Sequence, residues 1–413
     1  MLERLVCVVG LAALVGLAWL VSSHRRQFPV RIVVGGLMLQ LCLGLFVLRT
    51  SVGQYTFDRL GGGVTSLLGF VDTGSSFLFD VYPRPTDTPE EDNFPASYAL
   101  WRSFAFGVLP TIIFFSALMS VLYHIGIMQW IVWAMAWIMQ RTLGTSGPET
   151  LAAAANVFVG HTEAPLVVKP YLAGMTRSEL NALMTGGFAT VTGGLLGSYV
   201  SMGIDAKHLL TASVISAPAA LLIAKVILPE TEPDKATAEL TLNQEKTSVN
   251  VIGAAVEGAS DGLKLALNVG AMLIAFLSLI ALINAILQGV TGVTLEAILG
   301  YLFSPLALCM GIAPSECLVA GEYIGLKTVA NEFIAYQRLG EAEIGTEISE
   351  RTKIILTYAL AGFSNLGAIG IQVGGIGGLE ATRKTDLAKL GLRAMLGGLL
   401  ACCMTGAVAG LLL

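Results

Sequence analysis

The stretch GHTEAP, residues 160–165, decides how this chain folds. An imidazole (His161), a hydroxyl (Thr162) and a carboxylate (Glu163) stand in consecutive positions, preceded by the apolar LAAAANVFV (151–159) and followed by LVV (166–168). An acid at the centre of a membrane helix costs about 2.5–3.5 kcal/mol on insertion scales, so a Glu in such surroundings marks a functional site. Residues 146–171 are too polar at their centre to cross a bilayer, and Arg141, Lys169 and Arg177 flank them on both sides. A segment with basic flanks at both ends enters and leaves on one side, which reads as a re-entrant hairpin with GHTEAP at its tip.

The rest of the chain supports a membrane setting. Of 413 residues 54% are hydrophobic and only 13% charged, and the mean hydropathy of +0.74 lies outside the range of water-soluble domains. A net charge of −5 with no basic face gives no support for nucleic-acid binding. The six cysteines (Cys7, Cys42, Cys309, Cys317, Cys402, Cys403) lie in apolar stretches without a CxxC, and read as packing residues.

Taken in order, residues 5–21 form a first span rather than a signal peptide. Glu3 precedes this segment and His24, Arg25 and Arg26 follow it, the reverse of a secretory signal. That places the N-terminus outside. Residues 30–48 return outward, and 53–79, interrupted by Asp58, Arg59 and Asp72, suit an interfacial helix. PRPTDTPEEDN (83–93) is a polar outer loop. Residues 98–123 form a third span, which 127–138 continue as an apolar helix down to Gln140 and Arg141 on the inside.

After the hairpin, residues 180–202 span outward, 209–228 return, and 229–250 form a polar inner loop. Residues 269–287 run outward and 295–310 form a second interfacial helix. Residues 314–336, interrupted at Asn331-Glu332-Phe333, read as a second hairpin opening outside. Residues 354–373 span inward, the basic run 383–389 lies inside, and 390–412 exit, leaving the C-terminus outside.

An internal repeat ties these elements together. A hairpin tip bearing a Glu (Glu163, Glu332) is followed about one span later by a helix broken at Gly-Phe and small polar residues: GFAT at 187–190 and GFSN at 362–365. Entered from opposite faces, the two units make an inverted repeat, the plan of transporters that bind substrate near mid-bilayer between discontinuous helices. The expected fold is an all-α polytopic membrane protein with eight spans, two re-entrant hairpins of opposite orientation and interfacial helices. Its divisions are 1–145 (scaffold and oligomerisation), 146–228 (first repeat), 229–310 (scaffold) and 311–413 (second repeat).

The broken elements offer His161, Thr162, Glu163, Glu332, Phe363 and Asn365. This set suits a neutral, flat, polar ligand: carboxylates accept from hydroxyls, an Asn pairs two ways, and a Phe covers an aromatic face. Neither tip carries an Arg or Lys for a phosphate. Asn156, Thr190 and carbonyls freed at the break form an oxygen cluster for a small hard cation such as sodium. Two membrane carboxylates also serve a proton-coupled carrier. An intramembrane hydrolase built on His161 and Glu163 lacks HExxH and GxSxG, and positions i and i+2 do not share a helix face.

The segments NVFVGHTEAPLVVKPYL (156–172), MTGGFATVTGGLLGSYVSMGI (184–204), CLVAGEYIGLKTVANEFIAY (317–336) and YALAGFSNLGAIGIQVGG (358–375) resemble the concentrative nucleoside transporters. The resemblance runs from about residue 104 to the C-terminus. It implies a bacterial inner-membrane homotrimer that imports nucleosides by a sodium-driven, elevator-like movement. It further implies that His161, Thr162 and Glu163 face the nucleobase beside Leu195 and Phe363, and that Glu332 and Asn365 hold the ribose. Sodium would sit among Asn156, Thr190 and the backbone carbonyls of Val159 and Val191. Two positions depart from the pattern: His161 stands where many members have Gln, and Ala368 where a ribose-contacting Ser is common.

Overall fold

The computed structural model describes residues 2–79, 103–161, 163–232 and 248–413. The loop at 83–93, the start of the third span at 98–102, Thr162 and most of the 229–250 loop lie outside these residues. Among the described residues every regular element is helical, apart from one isolated bridge between Ile344 and Ile348.

Among the described residues, six helices are long and apolar enough to cross a membrane. They are α1 (Leu2–Leu20), α2 (Val30–Arg49), α4 (Leu109–His124, preceded by a π turn at Phe104–Val108), α10 (Ala206–Ile227), α11 (Val251–Thr291) and α17 (Lys384–Leu412). Two more crossing paths are broken in the middle: α8 (Arg177–Ala189) with α9 (Gly193–Ser201), and α15 (Glu350–Leu360) with α16 (Leu366–Leu379). Between them lie α3 (Ser51–Phe79), α5 (Ile127–Leu143), α12 (Leu295–Cys309) and two helical pairs. These pairs are α6 (Gly147–Ala155) with α7 (Ala164–Val167), and α13 (Cys317–Val329) with α14 (Glu332–Glu341).

The long helices lie in one frame. Arg4 Nη2 donates to the Leu413 carbonyl at 2.9 Å, so the chain termini share one end of the bundle. At the other end Ser23 N–H donates to the Ile227 carbonyl at 3.0 Å, and Arg393 reaches Ser23. The base of the α6–α7 pair belongs to the Ser23 end. There Ser146 Oγ donates to Glu179, and Arg383 Nη1 donates to the carbonyls of Leu172, Ala173 and Met175 at 3.3, 3.1 and 2.5 Å. The α13–α14 pair opens at the opposite end, where Ser349 donates to Glu316 at 2.9 Å. Nearby, Arg351 binds the carbonyls of Gly311 and Gly410 and lies 3.5 Å from Glu3.

Helices α10 and α17 form the centre and are buried along most of their length, whereas α11 is exposed along most of its own. Where α11 does pack, it does so through glycines. A Cβ at Gly258 would lie 2.6 Å from Ser120 Cβ, and one at Gly262 would lie 2.8 Å from Ser116 Cβ. That small-xxx-small spacing lets α11 approach α4 at backbone distance.

Three boundaries differ from the sequence reading. The helix read at 127–138 does not continue the third span. The backbone of Gly126, at φ +92°, ends α4 and starts α5 in a new direction. The outer face of α5 carries Trp130, Trp133 and Trp137, with Arg141 stacked on Trp137 at 4.3 Å, the composition of an interfacial helix. The span read at 269–287 begins 18 residues earlier, at Val251, because Asn250 Oδ1 caps the Gly253 N–H at 2.8 Å. Glu257, Asp261 and Lys264 are carried along the helix, Glu257 accepting from Ser248 and Lys264 pairing with Asp261. The last span, read at 390–412, begins at Lys384, so most of the basic run 383–389 forms the first turns of α17.

Candidate functional site

The two breaks form where local sequence offers the backbone an alternative to helix. The α8 ladder stops at Thr190, whose extended backbone (φ −125°, ψ 156°) is followed by Thr192 accepting from Gly194 N–H as the cap of α9. The second break ends at Asn365, whose Oδ1 accepts from Ala368 N–H at 2.8 Å and starts α16. Asn331 caps α14 in the same way, at 3.0 Å from Ile334 N–H. Glu332 therefore sits in the first turn of one helix and beside the first turn of another.

The two breaks and the two tips meet. The Gly193 N–H donates to the Phe158 carbonyl at 2.8 Å, which seats the first tip on the first break. Gly362 lies against the Phe188 and Ala189 backbone, bringing the second break to the first. The His161 and Phe363 rings face each other with centroids 4.6 Å apart. Glu332, 2% exposed, accepts from Asn365 Nδ2 and from the Tyr199 hydroxyl, both at 3.3 Å. Ala368 and Leu195 are buried close by in sequence, Ala368 within the first turn capped by Asn365 and Leu195 one turn before Tyr199 on α9.

Glu163, two residues beyond His161 on the same tip, is exposed, and its backbone N–H donates to the Gly160 carbonyl at 3.0 Å. Thr162 is outside the described residues. Asn156, Val159, Thr190 and Val191 are buried within the first tip and first break. Both side-chain atoms of Asn156 lack a hydrogen-bond partner among the described residues, and Thr190 donates its hydroxyl proton to the Gly186 carbonyl at 2.9 Å, leaving the oxygen's lone pairs. A buried amide oxygen, a hydroxyl oxygen and nearby carbonyls form an all-oxygen set, which is hard-cation chemistry.

Three residues that the sequence reading did not assign belong to this region. Tyr199 donates to Glu332 and packs on Phe333 and Tyr336 with centroids at 4.9 and 4.5 Å. Its signal was the four-residue spacing from Leu195, which puts both on one face of α9. Lys327 is fully buried and donates to the Ala359 carbonyl at 2.9 Å. Gln372, seven residues after Asn365, reaches the Met184 carbonyl at 3.3 Å.

Comparison with known proteins adds the following. The chain matches the family models "Na+ dependent nucleoside transporter C-terminus" over residues 208–410 and "Na+ dependent nucleoside transporter N-terminus" over 9–81. Residues 105–206 match "Nucleoside recognition". It is 44% identical over 411 residues to the uncharacterized transporter YutK of Bacillus subtilis, covering 98% of each chain. It is 41% identical over 434 residues to sodium/nucleoside cotransporter 1 of Mus musculus, covering 99% of this chain but 64% of the mouse protein. Among solved structures it is similar to CNTnw in an inward-facing substrate-bound state. There the TM-score is 0.91 at 41% identity, over 99% of this chain and 98% of that one. A variant of CNTnw in an outward-facing state gives the same TM-score at 40% identity, over 100% of this chain and 99% of that one.

Proposed function

The chain belongs to the concentrative, Na+ dependent nucleoside transporter family, and from that membership we propose that it is a sodium-coupled nucleoside symporter. It is a multi-pass membrane transporter and not an enzyme. The observation that carries the reading is the second-repeat cluster, in which a buried Glu332 is held by Asn365 and Tyr199. At 3.3 Å both bonds are long for their type, so vicinal ribose hydroxyls can take their place with shorter, charge-assisted ones. Glu332 and Asn365 hold the sugar, with Ala368 against it. His161, Thr162, Glu163, Leu195 and Phe363 face the base. Sodium, carried as cargo, binds at Asn156, Thr190 and the carbonyls of Val159 and Val191.

The two helical pairs act as re-entrant hairpins of opposite orientation, a reading supported by their bases lying at opposite ends of the bundle. Residues 146–228 and 311–413 move as the transport unit against a scaffold of 1–145 and 229–310, in an elevator-type alternating access. Similarity to both inward-facing and outward-facing CNTnw structures supports this. The exposed apolar faces of α3 and α11 suit contacts between protomers of a homotrimer or with lipid. The protein sits in the bacterial inner membrane with both termini outside. Uptake of a nucleoside panel into liposomes under an imposed sodium gradient tests this function. Sodium-dependent accumulation is expected. Uptake that ignores sodium but follows a pH gradient would replace sodium by protons as the coupling ion.

A further inference from the structure

His161 and Gln372 converge on Gly187 in α8, at a place where a side chain cannot fit. A Cβ built on Gly187 would lie 2.7 Å from His161 Cβ and 2.7 Å from Gln372 Nε2, closer than a carbon approaches either. Twice that distance, 5.4 Å, is therefore the most that separates those two atoms. Gln372 is 1% exposed, and its Nε2 donates to the Met184 carbonyl at 3.3 Å. That bond fixes which end of the amide is nitrogen. Its Oε1 has no partner among the described residues, and neither ring nitrogen of His161 has one. A buried acceptor and a buried donor left open in the same few ångströms each carry a desolvation cost that a mutual bond removes.

A neutral imidazole has one N–H and one acceptor nitrogen, and whichever bond the first makes decides what the second presents. Phe363 covers the ring at 4.6 Å and limits the positions it takes. Helical periodicity gives Gln372 a site-facing register. It follows Asn365 by seven residues and Ala368 by four, so the three share one face of α16.

We infer that Gln372 is a positioning residue for base recognition: its Oε1 accepts the His161 N–H and so presents the other ring nitrogen as an acceptor. The ligand that fits is a nucleoside whose base edge offers an N–H donor there, such as the amino group of adenosine or the N3–H of uridine. This inference rests on the reading of His161 as a base-facing residue. Both groups already lie against the Gly187 backbone, so side-chain rotation is the movement the bond requires.

The test compares substrates that differ only in the donor: adenosine with purine riboside, and uridine with 3-methyluridine. KM is measured in liposomes for the wild type, Gln372→Met, Gln372→Glu, His161→Ala and the Gln372→Met/His161→Ala pair. The wild type should prefer the donor-bearing member of each pair. Gln372→Met, which removes the acceptor, should lower that preference roughly threefold to tenfold, the value of one neutral hydrogen bond. Gln372→Glu keeps an acceptor oxygen and should retain it, and the double variant should match His161→Ala alone. If the Met variant is not recovered, Gln372→Asn, which withdraws the amide by one methylene, should show the same fall. A Gln372→Met variant with lower maximal rate but unchanged preference overturns the inference, as do independent effects in the double variant. Absence of nucleoside uptake by the wild type overturns the transport reading itself and is seen before any variant is made.

Discussion

Replacing Lys225 by Met removes the cation at the centre of a buried ion cluster at the base of the first hairpin. Lys225 Nζ lies 2.5 Å from Glu149 Oε2 and 3.6 Å from Glu230 Oε2, and it donates to Ser178 Oγ at 2.9 Å. Both Lys225 and Glu149 have side chains only 2% exposed. Met fills the volume of the aliphatic stem but leaves Glu149 an uncompensated buried charge, and breaking a buried pair in this way costs about 3–5 kcal/mol. Glu149 keeps the bond it accepts from Ser146 N–H at 2.8 Å, which favours the lower part of that range, about 3 kcal/mol. Unfolding entropy of about 2.1 cal/mol/K per residue over 413 residues turns this into a fall in Tm of roughly 3–4 °C. A helical membrane protein unfolded in detergent keeps much of its helix, so its entropy of unfolding is smaller and this shift is a lower bound. The assay is the loss of monodisperse protein during a thermal ramp in detergent. The pair Lys225→Met/Glu149→Gln should recover more than half of the loss, because an amide still accepts from Ser146 and position 149 no longer carries a charge. A Lys225→Met protein within about 1 °C of wild type, or a double variant that adds the two losses, would refute the claim that these charges hold the hairpin base.

On the proposed ribose assignment, Glu332→Gln preserves shape but would replace charge-assisted bonds to the sugar by neutral ones. A fall in apparent nucleoside affinity of roughly tenfold to a hundredfold is expected in uptake kinetics, with weaker discrimination against 2′-deoxynucleosides. His161→Gln should change the ratio of purine to pyrimidine uptake while leaving sodium dependence intact. Gly187→Ala should raise intrinsic helix propensity by about 1 kcal/mol, yet depress uptake, since its methyl collides with His161 and Gln372. Detergent stability read alongside transport separates those two effects. Glu230 lies beyond α10. Burial pushes its carboxyl up, but the Glu232 N–H, the Thr176 hydroxyl and Lys225 together hold it below the usual carboxylate range. A depressed folded value means that its contribution is fully present above the unfolded pKa, about 4.3, and is lost as pH falls through the folded one. The stability gap between wild type and Glu230→Gln should therefore be constant near neutral pH and shrink in acid, and a gap that widens there would contradict this.

How much of this was legible in the sequence follows from the range of each signal. The spans, the two polar tips and the two breaks are local features that composition marks in the sequence, and the structure adds the caps Asn331, Thr192 and Asn365 that start the helices there. Helix limits set by a single backbone torsion or by one cap were harder to see. Gly126 sits among apolar residues that otherwise look continuous, and Asn250 starts a 41-residue helix whose first turns carry charge. Most opaque were residues whose role depends on a partner far along the chain. Tyr199 reaches Glu332 across 133 positions and Gln372 reaches Met184 across 188, and no spacing rule joins such pairs.

The two repeats differ in how their buried polar groups are satisfied, and this difference bears on how ion and substrate act together. In the second repeat Glu332 already has Tyr199 and Asn365, and Lys327 has the Ala359 carbonyl. In the first, both side-chain atoms of Asn156 and both ring nitrogens of His161 are buried without partners among the described residues. Each such group costs about 1–3 kcal/mol until something binds it, and the first tip carries the largest cluster of them, although Ser364 Oγ and Gln372 Oε1 in the second repeat also lack partners among the described residues. Asn156 and His161 are five residues apart on that tip, which the bond from Gly193 to Phe158 seats on the first break. On the proposed assignment, a cation at Asn156 would restrict the same short backbone that carries His161, so a base binding afterwards would have less freedom left to lose. By linkage the base would favour the cation equally, so the proposed symport would need no further device than this shared tip to make either ligand bind better in the presence of the other.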